Sequence, residues 1–200
     1  MTCAARMTKM VVAAEHLRKQ SGNAKAPFNL AFMTDAASLR NPCEIALLMP
    51  RGSAIILRDY THPARTALAF RLRNICQQRG LLLFIGADTA LAKHCGANGV
   101  HFPSWASARA LSGFLTSAAC HNEEELARAA ARNIDVAIVS PAFATQSHPG
   151  APSLGPGRFK ALANSARLPV IALGGVTPEN ADQLAGPNVV GLAAVSAFES

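Results

Sequence analysis

The residues in this chain that could do chemistry are few, and most fall at the ends of short apolar runs. Gly174-Gly175 follows Pro169-Val170-Ile171-Ala172-Leu173, with Val176 and then Thr177-Pro178-Glu179 after it. Paired glycines let a backbone approach an anion closely, and a helix opening just behind them offers free N–H groups and a favourable dipole. A matching turn, Ala194-Val195-Ser196-Ala197, closes the final apolar run and again leads to a helix start. Both turns are expected to hold phosphate; the plainer reading is that the glycines only permit a tight turn. Arg58 closes the run Ala54-Ile55-Ile56-Leu57 and is either an anion ligand or the partner of a salt bridge with Asp59. His148 lies in a Gly/Pro-rich segment, Gln146 to Gly157, that has the composition of a lid. It either touches a ligand or is an exposed loop histidine. His101 sits inside an apolar run and reads as a packed, hydrogen-bonded histidine, and His94 and Cys95, just before Gly96, read as structural.

These groups need a scaffold that gathers strand ends. From Leu30 onward, apolar runs alternate with amphipathic stretches. The expected strands are 30–33, 54–57, 81–85, 99–102, 113–116, 136–139, 169–173 and 189–193. Most are continuously hydrophobic, as parallel strands covered on both faces are. Helix starts stand between them: Asn122 before Glu123-Glu124-Glu125, Thr177 before Pro178, and Pro63 opening a stretch to Arg79. The pattern predicts an α/β fold, a single (β/α)8 TIM barrel, with an open doubly wound sheet as the alternative. An extra helix over Met7 to Gln20 belongs to an N-terminal extension (1–29) ahead of the barrel (30–200), and the last helix is expected to be truncated. In such a barrel the site lies at the C-terminal strand ends, with phosphate after strands seven and eight.

Composition narrows the function classes. Half of the 200 residues are hydrophobic and 16% are charged, which is a globular balance. No apolar run is long enough to cross a bilayer, and the N-terminal apolar stretch is cut short by Glu15, so a cytoplasmic protein without membrane partners is expected. The five cysteines are dispersed, with no CxxC pair and no metal-ligand spacing, so they read as reduced thiols. Net charge is +7, yet Arg65, Arg71, Arg73 and Arg79 spread along one predicted helix as a solvated face. With one Trp and one Tyr there is little to stack bases, and no nucleic-acid partner is expected. The expected partner is a small phosphorylated substrate; oligomeric state is left open.

Several segments, taken in order, are similar to one family. They are Ile56-Leu57-Arg58-Asp59, Gly96-Ala97-Asn98-Gly99-Val100-His101, Ser140-Pro141-Ala142-Phe143-Ala144-Thr145, Pro149 to Gly155, Pro169 to Val176 and Gly191 to Ala197. From about Leu30 to Phe198 the chain resembles the thiamine phosphate synthase and thiazole tautomerase family. The resemblance implies a transferase of thiamine biosynthesis, joining a pyrimidine diphosphate to thiazole phosphate with Mg²⁺ assistance and release of pyrophosphate. It implies Thr145, Gly174, Gly175, Val195 and Ser196 as the thiazole-phosphate site, with Arg58 and His148 as the catalytic candidates. The rest of the family pattern is altered. Tyr60 stands for a lysine, Gly86-Ala87 for an Asn-Asp pair, Ala106 for a metal-binding acid, Ala119 for a serine and His148 for a loop lysine. The tautomerase histidine is Pro141. Mg²⁺ is therefore expected for the family while its ligands are missing here, unless Asp88 or Asp59 compensates. The alternative function is a phosphate-ligand-binding barrel without the chemistry.

Overall fold

The structure is a computed structural model that describes residues 3–23, 25–35, 41–145 and 152–195. Eight parallel strands close into a barrel in sequence order, which excludes the open sheet. They are β1 (Leu30–Met33), β2 (Ala54–Leu57), β3 (Leu82–Gly86), β4 (Gly99–Phe102), β5 (Leu115–Cys120), β6 (Val136–Val139), β7 (Val170–Leu173) and β8 (Val189–Ala194). Around them lie α1 (Cys3–Ser21), α2 (Pro42–Leu48), α3 (Arg65–Arg79), α4 (Thr89–Cys95), α5 (Glu123–Ala131) and α6 (Gly155–Ser165). A short 3-10 turn, Ala181–Leu184, lies between β7 and β8.

Inward-facing residues fill the barrel. Ala31, Met33, Ala54, Ile56, Phe84, Val136, Ile138, Ile171, Val190 and Ala193 form one apolar cluster. Phe28 closes it from below, edge-on to Phe84 at 5.4 Å. Outward-facing residues of the same strands pack beneath the helices as a second cluster. This two-sided burial explains why the strands read as unbroken apolar runs. Caps set several helix starts: Asn122 accepts from the Glu125 N–H at 2.9 Å, and Asp88 accepts from the Leu91 N–H at 2.8 Å. A bulge on β8 brings Gly191 against Asn29, where a Cβ would fall inside contact distance of the Asn29 carbonyl.

Four expectations need correction. Strand five is not 113–116: Gly113 and Phe114 belong to a turn closed by the Leu111–Phe114 bridge, and the strand runs on to Cys120. Its inner face carries Ser117, so it lacks the hydrophobic continuity of its neighbours. Its start is fixed by Asp135, which accepts from the Thr116 N–H at 2.7 Å and the Thr116 hydroxyl at 2.8 Å. Second, residues 103–114 cross from β4 to β5 without a helix. Third, Thr177-Pro178 opens turns and a single 3-10 turn in place of a helix, with the Thr177 N–H donating to the Asn180 side chain at 2.8 Å. Fourth, Gly155-Pro156-Gly157 is not loop but the first turn of α6, where proline needs no N–H acceptor.

The thin β7–β8 crossover explains α1. Met7, Met10, Ala14 and Leu17, spaced along one face, are buried on β8 and beside the 3-10 turn. His16 reaches Asp182 of that turn at 3.0 Å, and Lys9 reaches Glu179 at 3.9 Å. The N-terminal helix thus covers the outside of β8, next to the 3-10 turn and β1. The expected truncated helix after β8 lies outside the described residues.

Candidate functional site at the mouth of the barrel

The C-terminal strand ends form the mouth. On the β7–β8 side, Leu173 pairs with Ala193, so Gly174-Gly175 and Val195 emerge side by side. Gly174 has φ +94° and Gly175 φ +62°, a left-handed pair that costs side-chain-bearing residues strain. A Cβ at 174 would sit 2.9 Å from Pro141, and one at 175 would run into the Ala144 carbonyl. The segment after β6 is stitched to this turn: the Ala142 N–H donates to the Leu173 carbonyl at 2.8 Å and the Phe143 N–H to the Gly174 carbonyl at 2.9 Å. Thr145 follows directly on that contact and is half-buried. The glycines therefore serve close packing as well as leaving backbone unobstructed by side chains. The side chain of Val195 packs on the barrel interior. Ser196 and His148 lie outside the described residues, as does Gln146–Ala151 of the expected lid.

On the β2–β4 side the groups are side chains, and they bind one another. The Arg58 Nε donates to the Thr34 carbonyl at 2.9 Å, and its guanidinium pairs with Asp35 at 3.4 Å. Its partner is Asp35, not Asp59. Asp59 is buried and accepts from the Thr34 hydroxyl. Arg65, read from sequence as part of a solvated helix face, is a clamp with a side chain only 11% exposed. It donates to the Arg58 carbonyl at 3.2 Å and to the Gly86 carbonyl, and it pairs with Asp88 at 3.3 Å. Asp88 is thereby spent on Arg65 and on capping α4. Arg71 and Arg79 on the same helix are exposed, as a solvated face should be.

Tyr60, in place of the lysine, lies against Gly86 with Arg65 5.8 Å from its ring centre. Burial raises its hydroxyl pKa above the ordinary value, against the opposing pull of Arg58 and Arg65. Its ring meets Trp105 edge-on at 5.7 Å. The sequence signal for this pair was two rare aromatics just past the ends of β2 and β4, the strands on either side of β3. Beneath them His101 is 1% exposed and shares a 2.9 Å hydrogen bond between Nδ1 and the Ser117 hydroxyl. Burial, helped by Arg58, pushes its pKa down to about 3, so the imidazole is neutral at physiological pH. The geometry matches a packed histidine. Cys76 and Cys120 are buried and their thiols are pushed up to about 12, so neither offers a thiolate.

Fold and mouth together define a (β/α)8 barrel whose ligandable groups lie at the C-terminal strand ends. The chain matches the model described as thiamine monophosphate synthase over residues 31–198, and it belongs to that family. The thiamine-phosphate synthase of Methanoculleus marisnigri is 32% identical over 169 residues, covering 79% of this chain and 80% of the relative. That of Saccharophagus degradans is 35% identical over 167 residues, covering 76% and 74%. Among solved structures, thiamine phosphate pyrophosphorylase from Pyrococcus furiosus superposes with a TM-score of 0.73 at 22% identity, covering 87% of this chain and 88% of that one. No helix among the described residues is long and apolar enough to cross a membrane.

Proposed function

We propose that this member of the thiamine-phosphate synthase family binds a thiazole phosphate at the β7–β8 turn and acts in the cytoplasm on small phosphorylated substrates. The observation that carries this reading is the left-handed Gly174-Gly175 turn beside Val195, with the chain to Thr145 sewn onto it. Among the described residues the Gly175 N–H has no acceptor, which leaves it to donate to a phosphate oxygen. The dipole contribution is smaller than a full helix would give, since only a 3-10 turn follows.

The reaction this binding would serve is the family's coupling. The thiazole nitrogen attacks the methylene of a pyrimidinylmethyl diphosphate, the methylene–oxygen bond breaks, and pyrophosphate leaves with the electron pair. In this reading Arg58 would be the cation that meets that negative charge, with His148 as its expected companion. A second reading, binding without coupling, is favoured by a specific observation. Asp88 caps a helix and pairs with Arg65, Asp59 is held by Thr34, and Ala87 and Ala106 occupy the other acid positions. These residues do not fit a Mg²⁺ site of the family's kind, which needs free carboxylates facing the mouth.

Calorimetric titration of thiazole phosphate and of pyrimidine diphosphate, each with and without Mg²⁺, tests both readings. Thiazole phosphate binding that ignores Mg²⁺, with no Mg²⁺-dependent uptake of the diphosphate, supports the second. Mg²⁺-dependent diphosphate binding supports coupling. No thiazole phosphate binding at all overturns the proposal.

A further inference from the structure

The helix-free crossover between β4 and β5 leaves a cleft of about 230 Å³ against α5. Trp105, Ala106, Ala119, Cys120, Arg128 and Arg132 contribute to its walls. Ala106 and Ala119 stand where the family resemblance calls for an acid and a serine, so two small side chains leave room at the edge of the mouth. Trp105 is 71% exposed, yet its ring is oriented by the edge-on contact with Tyr60. An aromatic face held in place but left uncovered is suited to stacking.

The charge in the cleft favours an anion. Arg128 and Arg132 lie one turn apart on α5 and at its end, against a single lining carboxylate, Glu125. Glu125 is occupied by the His121 N–H at 2.7 Å and its ring at 3.0 Å. Arg132 donates one N–H to the Ala108 carbonyl at 2.9 Å, which holds the crossover in place. Arg128 pairs at 3.6 Å with the exposed Glu124, a contact that solvent weakens.

We propose that this cleft is a second ligand site, separate from the phosphate turn, which takes a small aromatic anion: its ring against Trp105, its anionic group on Arg128 and Arg132. The volume suits one substituted ring. The proposal goes beyond the thiazole-phosphate reading and does not depend on it.

Trp105 is the single tryptophan of the chain, so its emission reports this cleft directly. Phenyl phosphate titrated into the full chain is expected to change that emission saturably, while inorganic phosphate and benzyl alcohol do not. Arg128→Gln with Arg132→Gln should weaken the response about tenfold. Arg128→Gln alone, which keeps the Arg132–Ala108 contact, should weaken it severalfold in a protein of unchanged circular dichroism. Calorimetry with thiazole phosphate on the same variants should be unaltered. A silent Trp105 in the folded chain, or equal phenyl phosphate affinity in the double variant, overturns the proposal. Loss of thiazole phosphate binding with the Trp105 response intact would sink the phosphate-turn reading and leave this one standing.

Discussion

On the β7–β8 side of the mouth the groups offered to a ligand are main-chain atoms, held by two left-handed glycines and by the strand register. On the β2–β4 side they are side chains, and these spend their hydrogen bonds on one another: Arg58 on Thr34 and Asp35, Arg65 on Gly86 and Asp88. The difference teaches which kind of site survives sequence change. A backbone site persists as long as its glycines and its closure persist, whatever the neighbouring side chains become. A side-chain site is open to loss by point substitution; Tyr60, Ala87 and Ala106 stand where the family resemblance calls for charged or polar groups. Ala106 lines the cleft beside Trp105, while the Tyr60 ring packs on Gly86.

The largest effect that would break this contrast is Gly175→Ala. It places a Cβ against the Ala144 carbonyl in a left-handed residue, and should cost roughly 3 kcal/mol of stability and most of the thiazole phosphate affinity. Denaturant unfolding and calorimetry check it; unchanged affinity would remove the backbone turn as the phosphate site. Arg65→Met comes next, since it strips two carbonyls and Asp88 of their donor. A loss of about 2–3 kcal/mol is expected, with thiazole phosphate affinity preserved in the folded protein. If affinity fell as well, the two sides of the mouth would be coupled.

His101 sharpens the picture of the floor. Its folded pKa of about 3 lies below its ordinary 6.5, so the unfolded chain takes up the proton first. Its contribution is complete above the ordinary value and is lost as pH falls from there toward 3. At pH 5 the loss should be about 2 kcal/mol. His101→Gln should flatten that part of the stability curve, and an unaltered pH dependence would mean that His101 titrates normally. The smallest effect belongs to the outer surface. Asp182→Asn removes the exposed contact to His16 and should change stability by less than about 1 kcal/mol, leaving ligand affinity untouched.

Local chemistry made much of the fold legible. Seven of the eight strands fall within a residue or so of the apolar runs, because burial on both faces of a parallel barrel demands continuous hydrophobicity. Strand five escaped because Thr116, Ser117 and the small residues after them carry no such run. The Asn122 cap was visible for the same local reason: its side chain acts on a backbone N–H three residues away. The glycine turn could be named as a candidate, but the contact with Ala144 that constrains it comes from a segment thirty residues earlier.

What the sequence determined by itself was the barrel, its order and the identity of the groups at the strand ends, since periodicity, caps and turns act within a few residues. What only the tertiary structure decided was how those groups are used. Arg65 became a largely enclosed clamp, Asp88 a cap and ion-pair partner, and α1 the cover of β8 beside a thin crossover. Each of these depends on a partner distant in the chain, brought near when the barrel closes, and no local pattern encodes that proximity.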